Sequence, residues 1–178
     1  MPKKRILPYV LLGLINSHQQ MSGYQMMQEF KHEISDFWTA SHSQIYPELQ
    51  RMLKDGWIQA VDTTSVAAKG KAVFYHLTAT GKAALLAWLS EPLTPQNDDL
   101  FPLKLFFIAD QDSPILTKLL KQQYQLSLQR RDYLKARMAL LFKQQADIDQ
   151  NYGHYLILDR GIQRETNYVK WLAALLKE

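Results

Sequence analysis

Pro47 is the residue that most limits what this chain can build. It stands inside an apolar run, Ile45, Leu49, Met52 and Leu53, spaced at i, i+4, i+7 and i+8, the pattern of one buried helical face. Proline lacks an amide hydrogen and clashes with an earlier carbonyl in a helix interior, so the helix must begin close by, near Ser43, and Gly56 ends it. His42 to Tyr46 therefore crowd at the N-terminal end, where a helix that merely packs would carry plain solvent charges.

The neighbouring segments supply a setting. Leu7, Val10, Leu11 and Leu14 recur at helical spacing, with Pro8 tolerated in a first turn, which predicts a short buried helix from Ile6 to Ile15. In "MSGYQMMQEFKHEI" Ser22 can cap a second helix whose Tyr24, Met27 and Phe30 or Ile34 form its apolar stripe. After the third helix, "WIQAV" and "VFYHLT" are rich in β-branched and aromatic residues and enclose "DTTSVAAKGKA". They predict a two-stranded hairpin with a basic tip at Lys69 and Lys71. Thr78 can then cap a helix running to Ser90.

Helix, helix, helix, strand, strand, helix is the order of a winged helix-turn-helix. A helix N-terminus offers unpaired amides and the positive end of the helix dipole, which suit a phosphate. Ser43, Gln44 and Tyr46, with His42, are the candidates for base or groove contacts, and Lys3, Lys4, Arg5, Lys69 and Lys71 for phosphates. The alternative is that such polar residues only cap a helix and the hairpin is a solvated turn, since winged helices also serve as protein-contact modules.

Composition closes other routes. The 178 residues are 47% hydrophobic and 21% charged, a folded and soluble composition. The formal charge is +4, and the excess sits in the first ninety residues, with nine Lys/Arg against six Asp/Glu. No apolar run approaches the roughly 20 residues that span a bilayer, so no membrane segment is expected. The basic start is followed by Pro8 and a short apolar run without a small-residue cleavage site, which argues against a secretory signal. Cysteine is absent, which fits a reducing cytoplasm and excludes thiolate metal sites. His18, His32, His42, His76 and His154 have no metal-ligand spacing, and neither a phosphate-binding glycine loop nor a nucleophile elbow is present. Neither an enzyme nor a metal or other cofactor is expected.

The stretch "SGYQMMQEFKHEISDFWTASHSQIYPELQRMLKDGWI" resembles the signature region of PadR-type transcriptional regulators, "DDLFPLKLFFI" resembles the segment joining their two domains, and "YGHYLILDRGIQRETNYVKWL" is similar to the last helix of the long-tailed members that govern the phenolic acid stress response. The resemblance implies a homodimeric repressor on double-stranded operator DNA, released by hydroxycinnamic acids such as p-coumarate or ferulate. Long-tailed relatives also include regulators of virulence and of other signals, and a winged-helix scaffold without DNA is a further alternative.

The expected organisation is mainly α with a small β-hairpin. It comprises a winged domain over 1–90, a linker over 91–99 and a long-helix dimerisation and effector-sensing domain over 100–178. Pro102 fits the first turn of an apolar helix, and Ser113 with Pro114 opens another that can extend to about Asp149, carrying Leu134, Met138, Leu141, Gln145 and Ile148 on one face. Tyr155, Leu158, Ile162, Glu165, Val169, Leu172 and Leu176 follow the same seven-residue rhythm, broken by Glu165, whose neighbour Arg164 is expected to face elsewhere. These seams can close within one chain or across two; exchange about a two-fold axis suits a palindromic site. A flat phenolic acid needs aromatic walls and a few aimed polar groups, and Trp38, Phe106, Phe107, Tyr124 and His154 are the candidates for effector binding.

Overall fold

The computed structural model describes residues 5–36, 38, 42–62 and 73–176. They are mostly helical, with one small antiparallel sheet. Two compact units divide the chain, Met1–Glu91 with Pro102–Ala109, and Pro92–Phe101 with Asp110–Glu178. The segment after the expected linker thus contributes Pro102–Ala109 to the first unit rather than the second.

In the first unit α1 (Leu7–His18) carries Pro8 at its start, where a missing amide costs nothing, and buries Val10, Leu11, Leu14 and Ile15. Helix α2 (Gly23–Glu29) opens with a complete capping box: the Ser22 hydroxyl accepts from the Gln25 amide, and the Gln25 side chain accepts from the Ser22 amide. Its apolar side differs from the expected stripe. Tyr24 is 60% exposed, and Met26 takes the buried position. Phe30 and Ile34 are buried as expected, beyond the end of α2.

A 3-10 turn, His42–Gln44, leads directly into α3 (Ile45–Lys54), so the regular helix starts two residues later than near Ser43, with Pro47 inside its first turn. Gly56 ends it at φ +69°, a left-handed conformation that costs glycine little. Thr78 then links two elements. Its hydroxyl donates to the Gly56 carbonyl at 2.6 Å and accepts from the Gly81 amide at 3.1 Å, capping α4 (Ala79–Ser90).

The sheet has three strands rather than two. β3 (Val73–Leu77) lies between β2 (Ile58–Asp62) and β1 (Met21–Ser22), antiparallel to both, with Tyr75 facing Ala60 on one side and Met21 on the other. Residues 63–72, with Lys69 and Lys71, lie outside the described residues, as do Lys3 and Lys4. Helix α5 (Phe101–Phe106) follows the connector, and its Lys104 is buried, donating to the Glu91 carbonyl at 2.6 Å near the end of α4.

In the second unit α6 (Pro114–Leu141) stops eight residues short of the expected end. A short α7 (Gln145–Gln150) intervenes, capped by Asp147, whose carboxylate accepts from the Lys143 and Gln144 amides. Gln145 and Ile148 therefore belong to α7. Pro114 does open α6, but the Ser113 side chain makes no capping bond. Helices α6 and α8 (Tyr152–Leu176) pack on each other within the chain, with Gly161 facing Leu134. The seam between these two helices is closed within one chain. The rhythm of α8 holds: Leu158, Glu165, Val169 and Leu172 are buried. Glu165 finds its partner next door, contrary to the expectation for Arg164, which donates to Glu165 Oε1 at 2.8 Å through Nη2 and at 3.2 Å through Nε.

Candidate nucleic-acid interface

Helix α3 separates into two faces. Ile45, Leu49 and Met52 point inward and are buried. The opposite side, Ser43, Tyr46, Pro47, Gln50, Arg51 and Lys54, is exposed along its length. Steps of three and four residues put these six on one stripe, a surface suited to face a groove. Gln50, Arg51 and Lys54 were not among the expected contacts, yet they follow from the complement of the buried face: once Ile45, Leu49 and Met52 are inward, this stripe must be outward.

Of the expected readers, Ser43 and Gln44 are exposed at the entry to α3, and Tyr46 is 52% exposed. His42 lies in the 3-10 turn, and its side chain is outside the described residues. The Tyr46 ring rests on Gly23 at the start of α2, with Cε1 2.8 Å from where a β-carbon of residue 23 would stand. Burial, and then the adjacent Tyr46 phenol, push the Tyr75 phenol above its usual range. The structure thus gathers Tyr46, Gly23 and the centre of the sheet in one place.

Of the expected phosphate contacts only Arg5 is described. Its guanidinium stands 3.4 Å from Glu48 Oε1, beside Arg51, whose Nη1 donates to Glu48 Oε2 at 3.2 Å. Glu48 is 4% exposed while both arginine side chains are more than half exposed. The carboxylate is inside and the cationic heads are outside.

The effector candidates do not form one cluster within a unit. Trp38 is half-buried in the first unit, its ring 5.9 Å from that of Phe30. Phe107 is core, its ring so close to Gly13 that a β-carbon there would stand 2.5 Å away; Phe106 beside it is exposed, the two rings edge to face at 5.2 Å. Tyr124 and His154 belong to the second unit, near opposite ends of the α6 and α8 pair, roughly 25 Å apart at the rise of an α-helix. The exposed His154 meets Phe142 edge to face at 5.7 Å. An open cleft of about 550 Å³ at the start of α6 is lined by Asp112, Pro114, Thr117, Lys118, Lys121 and Gln122, with no aromatic face for a ring.

Among the described residues no group of three or more His, Cys, Asp or Glu could hold a metal ion, and no helix is long and apolar enough to cross a membrane.

Comparison with known proteins places these features in a lineage. Residues 11–87 match the transcriptional regulator PadR-like family, and residues 99–178 match the virulence activator alpha C-terminal family. The negative transcriptional regulator PadR of Bacillus subtilis is 35% identical over 177 residues, 97% of this chain and 96% of that one. Crystal structures of Bacillus subtilis PadR with operator DNA and with p-coumaric acid align at 32% and 33% identity over 98% and 97% of this chain, and 98% of each of those chains, with TM-scores of 0.47 and 0.43. Kinship rests on identity along nearly the whole of both sequences.

Proposed function

Since the chain belongs to the PadR-like family of transcriptional regulators, we propose that it is a DNA-binding repressor of the phenolic acid stress response. In this reading it works as a homodimer in the cytoplasm, without catalysis, and hydroxycinnamic acids such as p-coumarate or ferulate release it from its operator. The observation that carries the reading is the 35% identity to a negative transcriptional regulator across both units. The exposed stripe of α3 supports it independently, because it offers a groove polar and cationic side chains on a rigid helix. Repression is steric: the bound dimer occupies promoter DNA and excludes polymerase.

Contacts divide by position. Lys3, Lys4, Arg5, Lys69 and Lys71 meet phosphates, and His42, Ser43, Gln44 and Tyr46 meet the groove. Trp38, Phe106, Phe107, Tyr124 and His154 are the proposed effector residues. The His154 imidazole is the polar group of that set best suited to a carboxylate or phenol. A coupling of about 1–3 kcal/mol between effector and operator corresponds to roughly 5- to 150-fold release.

The match of the C-terminal half to a virulence activator family favours a second reading, the same DNA-binding dimer answering another signal. Thermal-shift titration with p-coumarate and a gel shift on the promoter of a phenolic acid decarboxylase gene separate the two. A raised melting temperature with loss of the shifted band supports the phenolic acid reading. An unmoved melting temperature with an intact band supports the second.

A further inference from the structure

A carboxylate in the buried part of a short amphipathic helix needs a reason. Glu48 is 4% exposed, flanked in the helix by Ile45, Leu49 and Met52, and an aliphatic residue there would avoid the cost of drying a charge. Its compensation is two guanidinium groups from different elements. Arg51, one turn along α3, makes a true hydrogen bond to Oε2 at 3.2 Å. Arg5, just ahead of α1, stands 3.4 Å from Oε1, within ion-pair reach but without hydrogen-bond alignment, so Oε1 has no hydrogen-bond partner.

We propose that Glu48 is a positioning residue that holds Arg5 and Arg51 side by side as a paired phosphate contact on the flank of the α3 stripe. The proposal rests on the DNA-binding reading above. Two guanidinium groups this close repel each other unless an anion lies between them. One carboxylate oxygen apiece offsets the repulsion while using one donor of the Arg51 fork and none of the Arg5 fork, leaving the exposed donors for phosphate oxygens. Arg51 lies at the edge of the stripe rather than its centre, so it faces the wall of a groove while Gln50 faces the floor. Both arginines reach the same wall because both are tied to one group. Holding two long side chains before DNA arrives removes the rotamer entropy that binding would otherwise spend.

The test uses the full chain and a duplex that the wild-type protein selects from a random-sequence pool. Glu48→Gln is expected to weaken binding about tenfold and to lower the slope of log affinity against log salt by about one. Glu48→Asp, which keeps the charge, restores part of the affinity. In an Arg5→Ala/Arg51→Ala background, Glu48→Gln has no further effect on binding, a non-additivity that general weakening of α3 would not produce. An equal loss in both backgrounds overturns the proposal, as does wild-type affinity and slope in Glu48→Gln. Tighter binding by Glu48→Gln also overturns it, by making the carboxylate a brake. Should Glu48→Gln fail to fold by circular dichroism, Glu48→Asp is carried through the same two backgrounds with the same criteria. If the wild-type chain selects no duplex at all, the DNA-binding reading falls first and this proposal with it.

Discussion

Tyr46 lies so near Gly23 that a β-carbon at residue 23 would stand 2.8 Å from its Cε1 and 3.3 Å from Leu49 Cδ1. The glycine is a shelf for a ring half of which is open to solvent, so Gly23→Ala should displace the exposed tyrosine rather than the core. Alanine is otherwise a good residue in a first helical turn. We expect the melting temperature to move by only a few degrees, a ΔΔG within about 1 kcal/mol, while preference among duplexes changes. Competition between duplexes measures the second effect. Tyr46→Phe separates ring position from the hydroxyl.

Gly13 and Phe107 are matched more tightly. Gly13→Ala would bring a β-carbon within 2.5 Å of the Phe107 ring, both buried in the first unit. Overpacking of this kind costs about 1–3 kcal/mol. Chemical denaturation should show that loss, and Phe107→Leu should recover most of it in the double variant, a coupling expected only of residues in contact.

Lys104 is fully buried, donates to the Glu91 carbonyl at 2.6 Å and places its ammonium 5.6 Å from the centre of the Trp88 ring. Lys104→Ala removes the stem, the donor and the cation together and should cost about 3 kcal/mol or more. Lys104→Met keeps the stem and should cost less. A fall in urea midpoint at constant m-value checks both.

Tyr168 gives a pH signature. Burial first, then the carboxylates of Glu165 and Asp98, push its phenol up from 10.0 to about 12. The folded chain therefore holds this proton more tightly than the unfolded chain, so the stability it contributes is complete below pH 10 and is lost as pH rises toward 12. Tyr168→Phe should lose less stability than wild type between those values. Ultraviolet titration of tyrosinate, compared between the two proteins, follows the group directly.

Capping and periodicity made much of this fold readable in advance. Ser22, Thr78, Gly56 and the Pro114 start occupy positions dictated by local chemistry, and the rhythm of α8 from Leu158 to Leu172 survives because one buried face demands it. What escaped depended on nonlocal partners. β1 is two residues long, and only pairing with Tyr75 and Phe74 makes it a strand. Tyr24 fits a helical stripe as well as Met26 does, until packing chooses the smaller, wholly apolar side chain. The break after Leu141 is followed at once by a new helix start, where the Lys143 and Gln144 amides donate to the Asp147 carboxylate, a cap that apolar spacing does not signal. Arg164 points away from the seam by spacing alone, yet its length lets the guanidinium return to Glu165. At the candidate interface the polar start of α3 was visible, whereas Arg51 and Gln50 emerged only once the inward face was known.

The shared middle strand has a mechanical result. Tyr75 is tied to Met21 as well as to Ala60, and Ser22 is both the end of that outer strand and the lid of α2. Tension applied at the foot of the wing runs through two residues into the helix on which Tyr46 leans, so strap, shelf and reading rod share one load.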